Sequence, residues 1–291
     1  MPKPLKKGDL FHIAAISSPI INKEDLYSGI NVLQEWGLTC NSIDAIERSW
    51  GYLAGSDEAR FKELHPSNHF PLIAFARGGW GSARLLEKKQ PWKEGWMIGF
   101  SDLTSILLAR LANGFNGGVH GPLITTLGSE PDWSKDRLKS ILFGSPVPDL
   151  YGEPWGGGVT KGHLIVANLT ILTHLIGTKY LPTFNKSILI IEDIGESPYR
   201  IDRMLTHLRL AGILQQLSGL GFGTFTGCKD DKDVDQTKSF ELFDVFKDRI
   251  QDLKIPIVSN LPIGHCHGNA SLPLGSQAIL NGEKGRLSLS S

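Results

Sequence analysis

The sequence predicts an α/β protein in two parts: an open parallel (Rossmann-like) α/β sheet, then a smaller C-terminal α+β domain with barrel-like strands. Three observations carry this. In the first half, short apolar runs alternate with segments of helical periodicity, the pattern of a parallel sheet with crossover helices. Residues 128–160 then turn rich in Gly, Pro and Trp, as a connection between domains does. Strand and helix patterns resume after it and close on a hairpin signal. The domains are therefore expected over 1–130 and 161–291, with a linker over 131–160.

Leu10–Ile16 reads as a buried strand that ends at the polar turn Ser17-Ser18-Pro19. A helix over Lys23–Trp36 follows, with Leu26, Ile30 and Leu33 at helical spacing and Gly37 in the C-terminal cap position. Leu38–Ile43 is a second strand, and residues 55–64 form a helix capped by Ser56 or Asp57. Pro71–Arg77 is a strand that runs into the turn Arg77-Gly78-Gly79-Trp80-Gly81-Ser82, with a helix starting near Ala83. Trp96–Phe100 is the next strand, and Leu103–Leu111 the next helix. A short helix at Lys135–Leu142 interrupts the linker. The second half reads as helix Ile165–Ile176, strand Ser187–Asp193, helix Tyr199–Leu210, strand Leu220–Thr226, helix Phe240–Ile250 and strand Ile255–Ser259. Leu272–Leu274 precedes a final hairpin, Gln277–Leu280 with Gly285–Leu289, turning at Asn281-Gly282.

The 30 basic and 30 acidic residues cancel, and no charge run stands out. Nucleic acid and anionic membranes are not expected as main partners. Three scattered cysteines without a Cys-x-x-Cys indicate neither a disulfide framework nor a cysteine-rich zinc site. No apolar run approaches membrane-spanning length, and the basic start leads into a first strand instead of a signal peptide. The expected compartment is the cytoplasm.

The chemistry centres on Trp96-Met97-Ile98-Gly99-Phe100-Ser101-Asp102-Leu103-Thr104. A strand, a sharp bend and a helix would lift the Ser101 hydroxyl over free helix N–H groups that can hold an oxyanion. Gly99 matches the first glycine of the Gly-x-Ser-x-Gly elbow, but Leu103 replaces the second. A plain helix cap is the simpler use of Ser101 or Asp102. The glycine turn at 77–81 can either cradle a phosphate or bring a backbone N–H beside Ser101. Glu192-Asp193 ends a buried strand, where a carboxylate can orient a histidine or cap the next element. In Gly264-His265-Cys266-His267-Gly268-Asn269, two histidines at i and i+2 on an extended segment share a face. They suit a metal, or one catalytic histidine with a bystander. In order, Ser101, Glu192 and His265 supply nucleophile, acid and base. Two other classes compete: a non-catalytic module binding phosphate at Arg77–Gly81, and a metallohydrolase using His265, His267 and an acid.

Taken together, these stretches resemble the serine LD-carboxypeptidases, the family that includes the microcin C self-immunity peptidases. Arg77–Leu86, Ile98–Thr104, His120-Gly121-Pro122, Asn168-Leu169-Thr170 with Gly177-Thr178, Ile190–Glu196 with Tyr199–Leu205, and Gly264–Asn269 with Leu272–Gly275 occur in family order. The resemblance implies a two-domain serine peptidase with a β-barrel in its C-terminal domain, a homodimer, no metal and no cofactor. By position, Ser101 matches the nucleophile, Glu192 the orienting acid in preference to Asp193, and His265 the base in preference to His267. Asp102 and Gly79 match the backbone oxyanion donors, with Gly78 the neighbouring alternative. Arg77 or Arg84 is a candidate for the substrate's terminal carboxylate, although an ordinary ion pair is the commoner use of each. Trp80 stands where the family often has tyrosine, a change that bears on substrate choice. The implied substrate is a small peptide or muropeptide, typically murein tetrapeptide losing D-Ala. Val166-Ala167-Asn168-Leu169 departs from the family's Gly-Gly-Asn-Leu, which keeps open an aminoacyl-nucleotide amide as in microcin immunity.

Overall fold

In the computed structural model, residues 1–41, 47–230 and 239–290 are described. The chain runs β1 (Leu10–Ala14), α1 (Lys23–Glu35), β2 (Thr39–Cys40), α2 (Asp57–Leu64), β3 (Leu72–Phe75), β4 (Trp96–Gly99), α3 (Thr104–Ala112), β5 (Gly118–His120), α4 (Ile124–Leu127) and α5 (Asp132–Phe143). It continues with β6 (Leu150–Tyr151), β7 (Glu153–Pro154), β8 (Val159–Asn168), α6 (Leu169–His174), β9 (Ser187–Ile194), α7 (Pro198–Leu210) and β10 (Gly219–Thr226). Last come α8 (Leu242–Ile250), β11 (Ile257–Ser259), β12 (Leu272–Pro273), β13 (Gln277–Asn281) and β14 (Arg286–Leu289). Contacts divide the chain into two compact units. One is Met1–Pro148 with Thr178–Pro182 and His267–Gly275; the other is Asp149–Gly177 with Thr183–Cys266 and Ser276–Ser291.

The first unit holds a six-stranded sheet in the order β12-β5-β4-β3-β1-β2. All neighbours are parallel except β12, which runs antiparallel to β5. The parallel strands are mostly apolar, as strands of a sheet buried on both faces are: Phe11, Ile13, Leu72, Ala74, Ile98 and Val119 are all buried in one core. Helix α1 adds Leu26, Ile30 and Leu33, the predicted face, and ends at Trp36 with Gly37 at φ 89°. The strand order reverses between β1 and β3. In open α/β sheets such a switch point opens a crevice at the carboxyl ends of the strands, where ligands bind. Ser17-Ser18 follows β1 and Arg77–Gly81 follows β3, so the polar turn and the glycine turn both lie at that point.

Several expectations change here. Of the strand expected over Leu38–Ile43, only Thr39–Cys40 forms in the described residues, and residues 42 and 43 lie outside them. Ser82–Glu87 is a 3-10 helix, not a regular one. Strand β5 has three residues, too few for a periodic signal. Leu272–Pro273 joins this first sheet instead of preceding the hairpin as part of the second half. It covers the edge of β5 (Leu272 opposite His120), and Arg137 Nε donates to the Ser271 carbonyl at 2.9 Å.

The second unit holds an eight-stranded sheet in the order β6-β14-β13-β8-β9-β10-β11-β7. The central β8, β9, β10 and β11 are parallel; β13, β14, β6 and β7 attach antiparallel at the two sides. The end strands β6 and β7 are consecutive in the chain, separated only by Gly152. One segment therefore bonds to both edges, Leu150 opposite Leu287 and Pro154 opposite Val258. The sheet is drawn round on itself by that segment, and no ladder between β6 and β7 closes a barrel among the described residues.

The helix expected over Ile165–Ile176 is largely wrong. Residues 159–168 form β8, and only Leu169–His174 is helical. Leu164-Ile165-Val166-Ala167 is a continuous apolar run, which periodicity alone cannot assign. Its register with Ile188–Ile191 of β9 buries it as a central strand. The helix begins where the Asn168 side chain accepts the Ile171 N–H, 3.1 Å.

Candidate active site

Ser101 stands where β4 gives way to helix. Phe100 is extended, a 3-10 turn spans Ser101–Leu103, and α3 follows. Ser101 itself has φ 61°. A serine in the left-handed region costs of order 1–3 kcal/mol and persists only where its surroundings hold it. Here the next residue does the holding. The Asp102 side chain is buried, and its Oδ2 accepts the Ser17 hydroxyl at 2.6 Å and the Ser82 N–H at 2.9 Å. The Asp102 carbonyl accepts the Ser82 and Ser105 hydroxyls at 2.7 and 3.2 Å. Burial pushes the Asp102 carboxyl above the usual carboxylate range, and the hydrogen bonds from Ser17 and Ser82 pull it back.

The glycine turn lies directly against the serine. A Cβ on Gly78 would sit 3.3 Å from Ser101 Cβ and 3.4 Å from its Oγ, so any larger residue would crowd the serine side chain. Beneath the turn is a cation that the sequence reading missed. Arg60 is fully buried, and its guanidinium donates to the carbonyls of Gly55 (3.2 Å), Gly81 (2.7 Å) and Ile16 and to Asp57 Oδ1 (2.5 Å). It thus ties the end of β1 to the end of the glycine turn. Its signal was present: Arg60 and Leu64 share the buried face of α2 at i, i+4. Arg60→Ala would take the buried donor from three carbonyls, those of Gly55, Gly81 and Ile16, while Asp57 keeps its pairing with Arg84. It is expected to cost about 3–5 kcal/mol and to lower Tm by about 10 °C in a thermal melt. A fall of less than about 2 °C would show that the network holds nothing.

In the second unit, Glu192 sits on β9 with its side chain fully buried. Its Oε2 lies 2.7 Å from Nδ1 of His265, whose side chain is 17% exposed. This is the arrangement in which a carboxylate fixes the tautomer of a histidine, so that proton exchange falls to Nε2. The approach depends on Gly264, at φ 112°: a Cβ there would lie 2.5 Å from Glu192 Oε2. Strand β10 holds the histidine backbone, since Thr226 Oγ1 donates to the His265 carbonyl at 2.6 Å and Thr224 N–H to the Ile263 carbonyl at 2.8 Å.

The neighbouring carboxylate does different work. Asp193 points to the other side of the strand and accepts Asn168 Nδ2 (3.0 Å), Thr170 N–H (2.9 Å), Thr170 Oγ1 (2.8 Å) and its neighbour's Ile194 N–H (2.8 Å). It anchors the start of α6. Burial pushes its carboxyl up, against the pull of these bonds.

Ser101, Asp102, Gly79, Arg77, Trp80 and Arg84 belong to the first unit, Glu192 and His265 to the second, and His267 to the first. The segment 264–269 is a turn and not the extended stretch expected. Cys266 N–H donates to the Gly264 carbonyl, and Gly264 and Gly268 have positive φ. The shared-face argument for a metal at His265 and His267 therefore fails. No group of three or more His, Cys, Asp or Glu is assembled for a metal among the described residues. Arg84 forms the ordinary ion pair, with Nε and Nη2 on Asp57 at 2.8–3.2 Å. Arg77 Nη1 donates to the Pro19 carbonyl at 2.8 Å, and Trp80 is 39% exposed.

Comparison with known proteins decides the family. The model of the LD-carboxypeptidase N-terminal domain matches residues 11–121, and that of the LD-carboxypeptidase C-terminal domain matches 161–280. The chain belongs to the LD-carboxypeptidase family. A protein of Synechocystis sp. named as a carboxypeptidase is 41% identical over 294 residues, covering 99% of this chain and 96% of its own. The murein tetrapeptide carboxypeptidase of Pseudomonas aeruginosa is 32% identical over 264 residues, 82% of each chain. The solved structure of the microcin C7 self-immunity protein MccF, in complex with glutamyl sulfamoyl guanosine, shares the fold at a TM-score of 0.86. It has 22% identity and covers 100% of this chain and 98% of that one. This LD-carboxypeptidase family member is thus a peptidase by descent, and no helix among its described residues is long and apolar enough to cross a membrane.

Proposed function

We propose that this chain is a serine LD-carboxypeptidase that releases the terminal D-alanine of murein tetrapeptide during cell-wall recycling. The observation that carries the reading is the 2.7 Å pairing of buried Glu192 with His265 Nδ1. The left-handed bend at Ser101 and the kinship with a murein tetrapeptide carboxypeptidase support it. In this reading, His265 Nε2 takes the Ser101 proton as Oγ attacks the carbonyl before the D-residue. The backbone N–H groups of Asp102 and Gly79 hold the oxyanion. His265 returns the proton to the leaving amine, and Glu192 stabilises the imidazolium meanwhile. A water activated by His265 then hydrolyses the acyl-enzyme and restores Ser101. With Arg84 committed to Asp57, Arg77 is the candidate of the two that remains for the terminal carboxylate, and the exposed Trp80 bears on substrate choice. The family resemblance adds the cytoplasm and a homodimer to the proposal.

The test is alanine release from two tetrapeptides that differ only in the chirality of the last residue. Release is expected from the peptide ending in D-Ala and not from the one ending in L-Ala. Equal release from both would overturn the LD assignment. Cleavage of neither, with turnover of an aminoacyl-nucleotide amide, would move the chain to the immunity-type substrate.

A further inference from the structure

We infer that Ser18 is a positioning residue for the oxyanion hole, fixing the Gly78–Gly79 peptide so that the Gly79 N–H is aimed at the Ser101 side. The inference rests on the proposed function. Ser18 grips the turn at two points: its N–H donates to the Gly78 carbonyl at 3.2 Å, and its Oγ accepts the Trp80 N–H at 3.3 Å. These are the two peptides that flank Gly79. A trans peptide is planar, with carbonyl and N–H on opposite edges. Since the Gly78 carbonyl is held toward Ser18, the Gly79 N–H points away from it. The Cα positions agree. Gly78 lies against Ser101, whereas a Cβ on Gly79 (φ 108°) would run into the Ser18 side chain, 2.7 Å from its Cβ.

This geometry also separates Gly79 from its neighbours. The Trp80 N–H is turned back onto Ser18. The Gly79 N–H makes no hydrogen bond among the described residues, and its direction is set from behind. The adjacent Ser17 binds the Asp102 carboxylate. One dipeptide at the end of β1 therefore sets both proposed oxyanion donors, Ser17 through the elbow and Ser18 through the glycine turn. Sequence reading marks Ser17-Ser18-Pro19 as the polar turn that ends the first strand; the structure gives the serine pair a task.

The experiment compares Ser18→Ala and Ser18→Thr on the D-alanine tetrapeptide, with Ser101→Ala alongside. Losing one oxyanion donor costs about 10²–10³ in kcat; a donor left in place but poorly aimed should cost about tenfold or more. Because an oxyanion exists only after attack, KM should stay within about twofold. A tetrahedral boronate that mimics the intermediate should bind more weakly by the factor lost in kcat, and Ser18→Thr, which keeps the hydroxyl, should recover kcat to within about threefold of wild type. If Ser18→Ala does not fold, Ser18→Cys, similar in size with a poor acceptor, is judged by the same limits. An unchanged kcat, a loss confined to KM, or no recovery in Ser18→Thr would overturn the inference. An inactive Ser101→Ala beside a fully active Ser18→Ala sinks this inference alone; an active Ser101→Ala sinks the proposed function and the inference with it.

Discussion

Ser101→Ala is expected to lower kcat for D-alanine release by about 10⁴–10⁶-fold, with the protein still folded. The size follows from the work assigned to one oxygen. Without Oγ there is no acyl-enzyme, and only binding and oxyanion stabilisation remain to act on a water attack. The position carries a second expectation that a mere cap would not share. Ser101 occupies φ 61°, a conformation that glycine adopts freely and serine does not. Ser101→Gly should therefore raise stability, by about 1 kcal/mol, while abolishing turnover as completely as alanine does. Single-turnover kinetics and a thermal melt on the two variants separate these effects. Activity within tenfold of wild type in either variant would remove Ser101 as the nucleophile. Loss of stability in Ser101→Gly would show that the serine side chain holds the bend, as a structural cap would.

The parts of this fold legible in the sequence are those where a local pattern and the tertiary environment agree. Helix α1 is bounded as expected because Leu26, Ile30 and Leu33 recur at its period and Gly37 ends it. The Ser101 bend is legible because Gly99, a polar pair and an apolar helix fall in one short stretch. The failures have a common physical cause. Residues 164–167 are apolar on every side, and their state is decided by the strands beside them, not by their own order. Leu272–Pro273 is placed by the edge of β5, far away in sequence. The supports of the site are hidden for the same reason. The Ser17–Asp102 bond spans 85 positions and the Arg60–Ile16 bond 44, so neither leaves a periodic trace. Gly264 is different: its need to be glycine becomes visible only once Glu192 is seen beneath it.

The adjacent carboxylates Glu192 and Asp193 allow the sharpest division between chemistry and folding. Glu192→Gln keeps the shape and a carbonyl oxygen that can still accept the His265 Nδ1 hydrogen, so the fold should persist. What is lost is the negative charge facing the imidazolium that forms during attack. By analogy with other buried acids of catalytic triads, kcat should fall by about 10²–10⁴, with KM little changed. Asp193→Ala should behave in the opposite way. It removes the carboxylate that accepts the Asn168 amide, the Thr170 N–H and the Thr170 hydroxyl at the start of α6. The expected cost is about 2–3 kcal/mol of stability, with kcat near wild type at temperatures where the variant stays folded. Kinetics and melts on both variants decide the matter. If Glu192→Gln retained kcat within about threefold while Asp193→Ala lost it, the acid would be the second carboxylate, and the 2.7 Å contact to His265 would be a structural bond. The strand argues against that result: alternate residues face opposite sides, so only one of two neighbours can reach the histidine, and the other is bonded to the end of β8 and the start of α6 through three groups.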